Sequence, residues 1–163
     1  MNIGSSKERA LVDTEQILSE HNFFSDLERA FRPLIGGCAK MLNFEAGHYL
    51  FHEGDSADWF FLITQGQVAL ELMTPGRGAL TFQTVGGSDV LGMFWLMPKV
   101  FWSHDARALE PTRTIAIDAR CLRQKCERDH ELGYDLMKRF VPILLQRLEN
   151  AQLQMLDVYG NSK

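Results

Sequence analysis

Residues 44–55 read FEAGHYLFHEGD, in which two short strand-like segments each lead to a glycine. The next segment, WFFLIT at residues 59–64, leads to a third glycine at position 66. Short apolar segments that end at glycine are typical of β-strands joined by tight turns, because glycine reaches positive φ without a Cβ clash. We therefore predict a small β-roll built outward from this stretch.

The strand pattern continues toward the carboxyl end. Residues 79–85, ALTFQTV, alternate between apolar and polar, as a half-buried strand does, and TPGRG at 74–78 is a turn cluster before them. Residues 113–117, RTIAI, have the composition of a last strand. Short, evenly spaced strands predict a mainly β fold, an antiparallel jelly-roll (double-stranded β-helix) that closes on itself.

Helical patterns flank the predicted roll. Apolar spacing predicts helices at about residues 8–18 and 25–34, the second with Ser25 as N-cap. After Asp118 the apolar period changes from two to about 3.6, and Asp129 is predicted to cap a long helix. The chain is thus predicted to contain a helical segment at residues 1–38, the roll at 39–118, and C-terminal helices at 119–163, the first of them at 119–127.

The long C-terminal helix carries one apolar stripe. A helix of this length extends beyond a small roll, so we predict a parallel homodimer through residues 130–158. The alternative, that the stripe packs back on its own roll, stays open. Pro142 interrupts the hydrogen bonding of the helix near its middle. The predicted interface consists of Leu136, Phe140, Leu144, Leu148, Ala151 and Met155.

Composition narrows the class of protein. The chain has 163 residues, 45% of them apolar, which suits one well-packed domain. A net charge of −4 argues against general nucleic-acid binding. Cys38, Cys121 and Cys126 form no CxxC pair, which favours reduced thiols and a cytoplasmic location. The sequence contains no apolar run of membrane-spanning length and no recognisable catalytic spacing, so we predict neither a membrane protein nor an enzyme.

The arrangement of these patterns resembles the cyclic nucleotide-binding domain, as in the sensor half of the catabolite activator and fumarate-nitrate regulator superfamily. The resemblance rests on the glycine-bounded strands at 44–68, the Gly92 segment at 90–98, the Arg107-Ala108 pair and the hinge-like LDVYG at 156–160. It implies a regulatory module. In this family, a Gly-Glu pair opening a short helix and an arginine in the following segment hold the cyclic phosphate and the ribose.

Two positions depart from that pattern. Met93 follows Gly92 where the resemblance implies the glutamate, and Trp102 stands where it implies the phosphate-binding arginine. Arg107 matches a second arginine that is not the phosphate ligand. Because both charged partners of the ligand are replaced, we expect cyclic AMP and cyclic GMP to bind weakly or not at all. The candidate ligand-binding residues are Gly92, Met93, Phe94, Trp95, Trp102, Ser103 and His104, which form either a pocket for another ligand or one filled by its own side chains.

The resemblance also implies how such a module signals, namely by movement of the C-terminal helices when a ligand or another regulatory protein binds. Three residues follow the hinge-like segment, so we expect no DNA binding by this chain alone. A ligand-free interaction scaffold and a truncated transcription regulator are the alternatives. A third is a cupin-like metal enzyme using His48, His52 and His104, although we predict no metal.

Overall fold

The structure, a computed structural model, describes residues 16–160, with side chains described as far as residue 156. Residues 16–20 are helical (α1), and residues 8–15 of the predicted first helix lie outside the described part. A 3-10 turn at Asn22–Phe24 follows. The other helices are α2 (Arg32–Gly36), α3 (Ala119–Arg128) and α4 (His130–Gly160). The strands are β1 (Ala39–Phe44), β2 (Tyr49–Phe51), β3 (Trp59–Gln65), β4 (Gln67–Thr74), β5 (Gly78–Gly86), β6 (Val90–Leu91), β7 (Asp105–Ala108) and β8 (Thr112–Asp118).

The strands form two four-stranded sheets. One has the order β1-β8-β3-β6 and the other β2-β7-β4-β5, and all the pairs are antiparallel. The β4–β5 hairpin is the longest pairing and runs from Gln67 opposite Gly86 to Thr74 opposite Gly78. This arrangement confirms the predicted antiparallel jelly-roll with a long C-terminal helix.

Two buried clusters divide the core, and β3 contributes to both. Phe60 and Leu62 face the helices, whereas Phe61 and Ile63 face the space between the sheets, because side chains alternate along a strand. Burial on both faces explains why residues 59–63 form a continuous apolar run rather than an alternating one. We call the first group the outer cluster and the second the inner cluster.

The segment before β1 differs from the predicted helix at 25–34. Ser25 is not the N-cap of a helix but the C-cap of the 3-10 turn, and its Oγ donates to the carbonyl of Asn22. His21 caps the 3-10 turn instead, where its Nδ1 accepts from the backbone of Phe23 at 3.2 Å. The α-helix in this region begins only at Arg32, with Pro33 in its first turn, where a missing N–H costs no hydrogen bond.

The C-terminal helices form as predicted, and one residue separates them. Asp118 caps α3 by accepting from the backbone of Cys121, and Asp129 Oδ1 accepts from the first backbone amides of α4 at 3.1 Å. A correction concerns the predicted dimer interface. Leu136 and Phe140 are buried in the outer cluster, because the first half of α4 packs against its own roll. The side chains of Leu144, Leu148, Ala151 and Met155 are exposed, and their role at an interface stays a prediction.

A second correction concerns the cysteines. Cys38 and Cys121 form a disulfide bond rather than two free thiols, and Cys126 is free. The pairing of β1 with β8 explains it, since Ala39 lies opposite Ile117 and so brings the residues flanking the two strands together. Spacing along the sequence could not reveal this contact, because the two cysteines are 83 residues apart.

Among residues 16–160, none of the helices combines the length and the apolar character that a membrane crossing requires.

Candidate functional site

The segment after Gly92 is a set of turns, not the short helix that the resemblance implies. The backbone of Trp95 donates to the carbonyl of Gly92 at 3.2 Å, and that of Met97 donates to Phe94 at 2.8 Å. Gly92 has φ of +90°, and a Cβ there would lie 2.6 Å from the carbonyl oxygen of Trp59. This corner therefore requires glycine. Without a helix, the segment lacks the aligned amides that attract an anion to a helix N-terminus.

Trp102 lies in the inner cluster and is 4% exposed. Its indole stacks on the ring of Phe51, with 3.6 Å between centroids and 7° between planes. Its backbone is fixed on both sides, because its N–H donates to Asp55 at 2.9 Å and its carbonyl accepts from Gly54 at 2.8 Å. The position that the resemblance assigns to an arginine is thus occupied by a ring packed inside the roll.

His104 lies beside this stack. Its ring is 5.6 Å from that of Phe51, 6.2 Å from that of Trp102 and 5.4 Å from that of Phe82. Burial lowers the pKa of His104, and the positive charge of Arg147 adds to the lowering against the opposing effect of Asp105 and Glu53. The imidazole is therefore mainly neutral at pH 7 and can donate or accept a hydrogen bond.

The other predicted site residues separate into two groups. Ser103 is exposed and its Oγ lies 3.3 Å from His104 Nδ1, so it joins the side of the site that holds His104. Trp95 instead lies in the outer cluster, 5.2 Å from the ring of Phe140. Met93 also packs on the outer cluster, and Phe94 is half-buried in the turn. The structure thus brings together Gly92, Trp102, Ser103 and His104, and it directs Met93 and Trp95 toward the helices.

Arg147 of α4 is a member of this site that the sequence did not reveal. Its Nη2 donates to the carbonyl of Val90 in β6, two residues before Gly92. Burial lowers the pKa of Arg147, with Asp89 opposing. The only sequence signal is a basic residue next to the apolar stripe, one position before Leu148. An open groove of about 200 Å³ extends from Arg147 along β5 and α4, lined by Phe82, Gln83, Arg147, Asn150, Ala151 and Gln154.

Arg107, the second arginine of the pattern, is engaged elsewhere. Its Nε donates to Glu71 Oε2 at 3.1 Å and its Nη2 to Glu71 Oε1 at 2.5 Å. The hydrogen bonds from Arg107 lower the pKa of the Glu71 carboxyl despite its burial. This ion pair joins β7 to β4, so the guanidinium of Arg107 is occupied by a contact within the roll.

The histidines of the proposed metal site do not gather around one point. His52 Nδ1 lies 3.4 Å from Asp105 Oδ1, while His104 faces the aromatic rings. In the part of the chain that the structure describes, no three His, Cys, Asp or Glu side chains form a metal-binding group.

Comparison with known proteins supports the resemblance. Residues 41–129, more than half of the chain, match the family model described as cyclic nucleotide-binding domain. A curated relative, the CRP-like cAMP-activated global transcriptional regulator of Mycobacterium tuberculosis, is 21% identical over 144 residues. That match covers 88% of this chain and 62% of the relative, so the chain spans less than two thirds of the regulator's length.

Solved structures show the same fold. A putative cyclic nucleotide-binding protein from Geobacter metallireducens is 26% identical, with a TM-score of 0.72 over 83% of this chain and 98% of that one. A cyclic nucleotide-binding domain from Methylobacillus flagellatus is 20% identical, with a TM-score of 0.74 over 91% and 84%. The regulatory subunit of a cAMP-independent protein kinase A from Trypanosoma brucei is 17% identical, with a TM-score of 0.68 over 90% and 50%.

Proposed function

The chain belongs to the cyclic nucleotide-binding domain family, and from this premise we propose that it is a regulatory sensor domain that signals through α3 and α4 and does not catalyse a reaction. The relatives support a regulatory role, since they include a transcriptional regulator and a kinase regulatory subunit. The proposal does not depend on cyclic AMP as the signal.

The observation that carries the proposal is the position of Trp102. Its indole lies inside the roll, packed on Phe51 at 3.6 Å, and the resemblance assigns this position to the phosphate-binding arginine. A cyclic phosphodiester carries a negative charge, and bringing it against an apolar ring without a charged partner costs several kcal/mol. Arg147 is the cation beside this site, and its guanidinium is bonded to Val90. We therefore propose that cyclic nucleotides bind weakly or not at all.

Signal transmission would follow the contacts between site and helices. Arg147 joins the edge of the site directly to α4 through the carbonyl of Val90. A ligand or a partner that changes this contact favours one placement of α4 over another, which is a population shift. We propose Gly92, Ser103 and His104 as the contacts for such a ligand, since they lie together beside the Trp102 ring. Met93, Phe94 and Trp95 would act through the turn that follows Gly92.

We further propose that the signal passes between two copies of the chain. The exposed side chains of Leu144, Leu148 and Met155 lie along the outer half of α4, where a second copy would cover them. The cytoplasm is the location that we propose, and another regulatory protein is a candidate reader of the helix position.

Calorimetric titration with cyclic AMP and cyclic GMP tests whether the candidate site binds cyclic nucleotides. The wild type should show a Kd weaker than about 1 mM, corresponding to roughly 4 kcal/mol or less of binding free energy. The variant Trp102→Arg introduces a cation at the position that the resemblance assigns to the phosphate-binding arginine and should bind more tightly. The matched control, Phe101→Arg, introduces the same residue at an exposed position and should not. Micromolar binding by the wild type would contradict the proposal.

A second candidate function is a ligand-free interaction scaffold, which the deep burial of Trp102 favours. Such a scaffold would show no thermal stabilisation by any nucleotide or metabolite, whereas a sensor would be stabilised by its ligand. A third candidate is the sensor part of a Crp/Fnr-type transcription regulator, because most of this chain matches part of such a protein.

A further inference from the structure

We infer that the Cys38–Cys121 disulfide is a reversible redox lock that holds α3 against the roll and so controls whether the C-terminal helices can move. The inference rests on the proposed function in one respect, namely that α3 and α4 carry the signal. Its geometry stands apart from the ligand site, because both cysteines lie at the junction of α2, β1 and α3.

The bond closes a loop around the whole roll. Cys38 precedes β1 and Cys121 follows β8, so all eight strands lie between the two sulfur atoms along the chain. The Cα atoms of the two cysteines are 5.7 Å apart. A covalent link at this point fixes the first turn of α3 to the start of the roll while leaving the strands themselves unaltered.

Asp118 already positions both cysteines. Its backbone N–H donates to the carbonyl of Cys38 at 2.9 Å, and its carboxylate accepts from the backbone of Cys121, also at 2.9 Å. The two thiols of the reduced protein therefore start close together, held by hydrogen bonds that do not depend on the sulfur atoms. Oxidation then needs no refolding, and reduction does not have to release the whole helix.

The disulfide and a lysine contact secure the same side of α3. Lys125 is four residues after Cys121, and its Nζ donates to the carbonyl of Leu34 in α2. Burial lowers the pKa of Lys125. Residues four apart lie on one face of a helix, so a single edge of α3 is joined by a hydrogen bond to α2 and by a covalent bond to the residue just before β1. When the disulfide is reduced, the hydrogen bond from Lys125 to Leu34 is the contact that remains along this edge.

The third cysteine does not compete in this reaction. Burial, with Asp129 and Glu127 nearby, raises the pKa of the Cys126 thiol to about 11. Its Cβ is also close to α4, because a Cβ placed on Gly133 would lie 3.3 Å from it. The thiolate is the reactive form in thiol–disulfide exchange, so Cys126 stays unreactive near neutral pH.

The chemistry is exchange with a small-molecule disulfide such as oxidised glutathione. The thiolate of Cys121, which is more exposed than Cys38, attacks one sulfur of the small disulfide and expels one small thiolate. The thiolate of Cys38 then attacks the Cys121 sulfur in the mixed disulfide and expels the second. Two protein thiols are oxidised and one small disulfide is reduced to two thiols, which take up the two protons released. Excess small thiol reverses both steps, and the cytoplasm, which we propose as the location, would supply it.

Hydrogen exchange of the full chain, followed by mass spectrometry, tests the lock without any ligand. The protein is equilibrated with oxidised glutathione or with a reducing thiol, and the mass of the Cys38 and Cys121 peptides reports the bond. Amides of α3 should exchange at least about tenfold faster in the reduced protein, relative to those of the β4–β5 hairpin, because local opening of α3 becomes easier. Cys126→Ser should respond like the wild type, and Cys38→Ser under oxidant should behave like the reduced wild type.

Three results would overturn the lock. In the first, the bond does not form under oxidant. In the second, the bond resists reduction in the folded protein. In the third, reduction accelerates α3 and the hairpin by the same factor, which would assign the bond to global stability alone. The nucleotide titrations test the proposed function, and their outcome does not depend on the disulfide. Hydrogen exchange tests the disulfide lock, and its outcome does not depend on nucleotide binding. A failure of one proposal can therefore be distinguished from a failure of the other.

Discussion

The indole of Trp102 lies flat on the phenyl ring of Phe51 inside the roll, with 3.6 Å between ring centroids. The two residues come from β2 and from the segment before β7, so the stack joins neighbouring parts of one sheet. A buried aromatic pair contributes both apolar burial and ring–ring attraction. A charged ligand at this site would have to displace that contact or bind outside it.

Removing the indole should therefore open space in the inner cluster. We expect Trp102→Ala to lower the free energy of unfolding by about 3–5 kcal/mol and to leave an apolar cavity. Indole added to the solution should raise the melting temperature of Trp102→Ala and leave that of the wild type unchanged. Equal responses of the two proteins to indole would mean that Trp102 does not fill the site.

Substitution of Gly92 by alanine tests how closely the turn packs against its neighbours. Gly92→Ala should be far more destabilising than Gly47→Ala, although both glycines have positive φ, at +90° and +87°. Gly47 has open space around it, so its variant carries only the backbone cost of about 1–2 kcal/mol. Gly92→Ala adds the clash with Trp59 and should cost about 2 kcal/mol more. Urea unfolding measures both, and equal losses would contradict the geometry.

The pairing of Arg107 with Glu71 predicts a pH dependence. The pKa of Glu71 is lowered in the folded protein, so its contribution is present above the unfolded value of about 4.3 and is lost as the pH falls through the lower folded value. Arg107→Ala leaves a buried carboxylate unpaired and should cost about 2–3 kcal/mol at pH 7, since Arg107 itself is partly exposed.

The control for this pair is the double variant Glu71→Gln/Arg107→Ala, which removes the unpaired charge and should recover part of the loss. Lys138→Ala removes the exposed partner of Asp135, which keeps its pair with Arg139, and should change stability by less than about 1 kcal/mol. Urea unfolding at pH 7 and pH 4 measures all of them. A loss for Arg107→Ala no larger than that for Lys138→Ala would show that the buried pair is not stabilising.

Arg147 can be tested through its effect on His104. Arg147→Met removes the hydrogen bond to Val90 and a positive charge near the imidazole, so the pKa of His104 should rise while burial keeps it below the ordinary value. Arg147→Lys retains the charge and should leave the pKa of His104 closer to that of the wild type. An NMR titration of the imidazole measures the pKa of His104. An unchanged pKa in Arg147→Met would show that Arg147 of α4 does not act on the site.

The exposed half of α4 predicts the oligomeric state. Leu148, 55% exposed, should lie at the centre of a dimer contact, so Leu148→Glu should convert dimers to monomers. Gln146→Glu adds the same charge at an exposed polar position on the opposite face of the helix and should remain dimeric. Light scattering coupled to size-exclusion chromatography measures both, and a monomeric wild type would refute the predicted interface.

The fold could be predicted because its signals are local. The glycines at 47, 54 and 66 mark turns, and the change of apolar period after Asp118 marks the helices, so each element is visible within a few residues of sequence. The segment at 25–34 could not be assigned in this way. There, Ser25 and Pro33 were both compatible with one continuous helix, whereas in the structure His21 begins a 3-10 turn at Asn22–Phe24 and the α-helix begins only at Arg32.

Only part of the candidate site could be predicted from the sequence, because some of its contacts join residues that are far apart in the chain. Trp102 and His104 are two residues apart in the sequence, so their proximity could be predicted. Arg147 reaches Val90 across 57 residues, and Cys38 meets Cys121 across 83. Such contacts depend on sheet register and helix placement, which no short pattern contains. Leu136 and Phe140 share the stripe of Leu148, and periodicity alone does not say where packing on the roll ends.

Asp129 alone separates α3 from α4, so the angle between the two helices sets where the far end of α4 lies. With 31 residues, α4 is about 45 Å long at 1.5 Å per residue. A pivot of 5° at its base would therefore carry its tip by about 4 Å, close to the diameter of a methyl group. Under the proposed signalling role of α3 and α4, a sub-ångström adjustment beside Cys121 would become a displacement of several ångströms at the far end of α4, outside the roll.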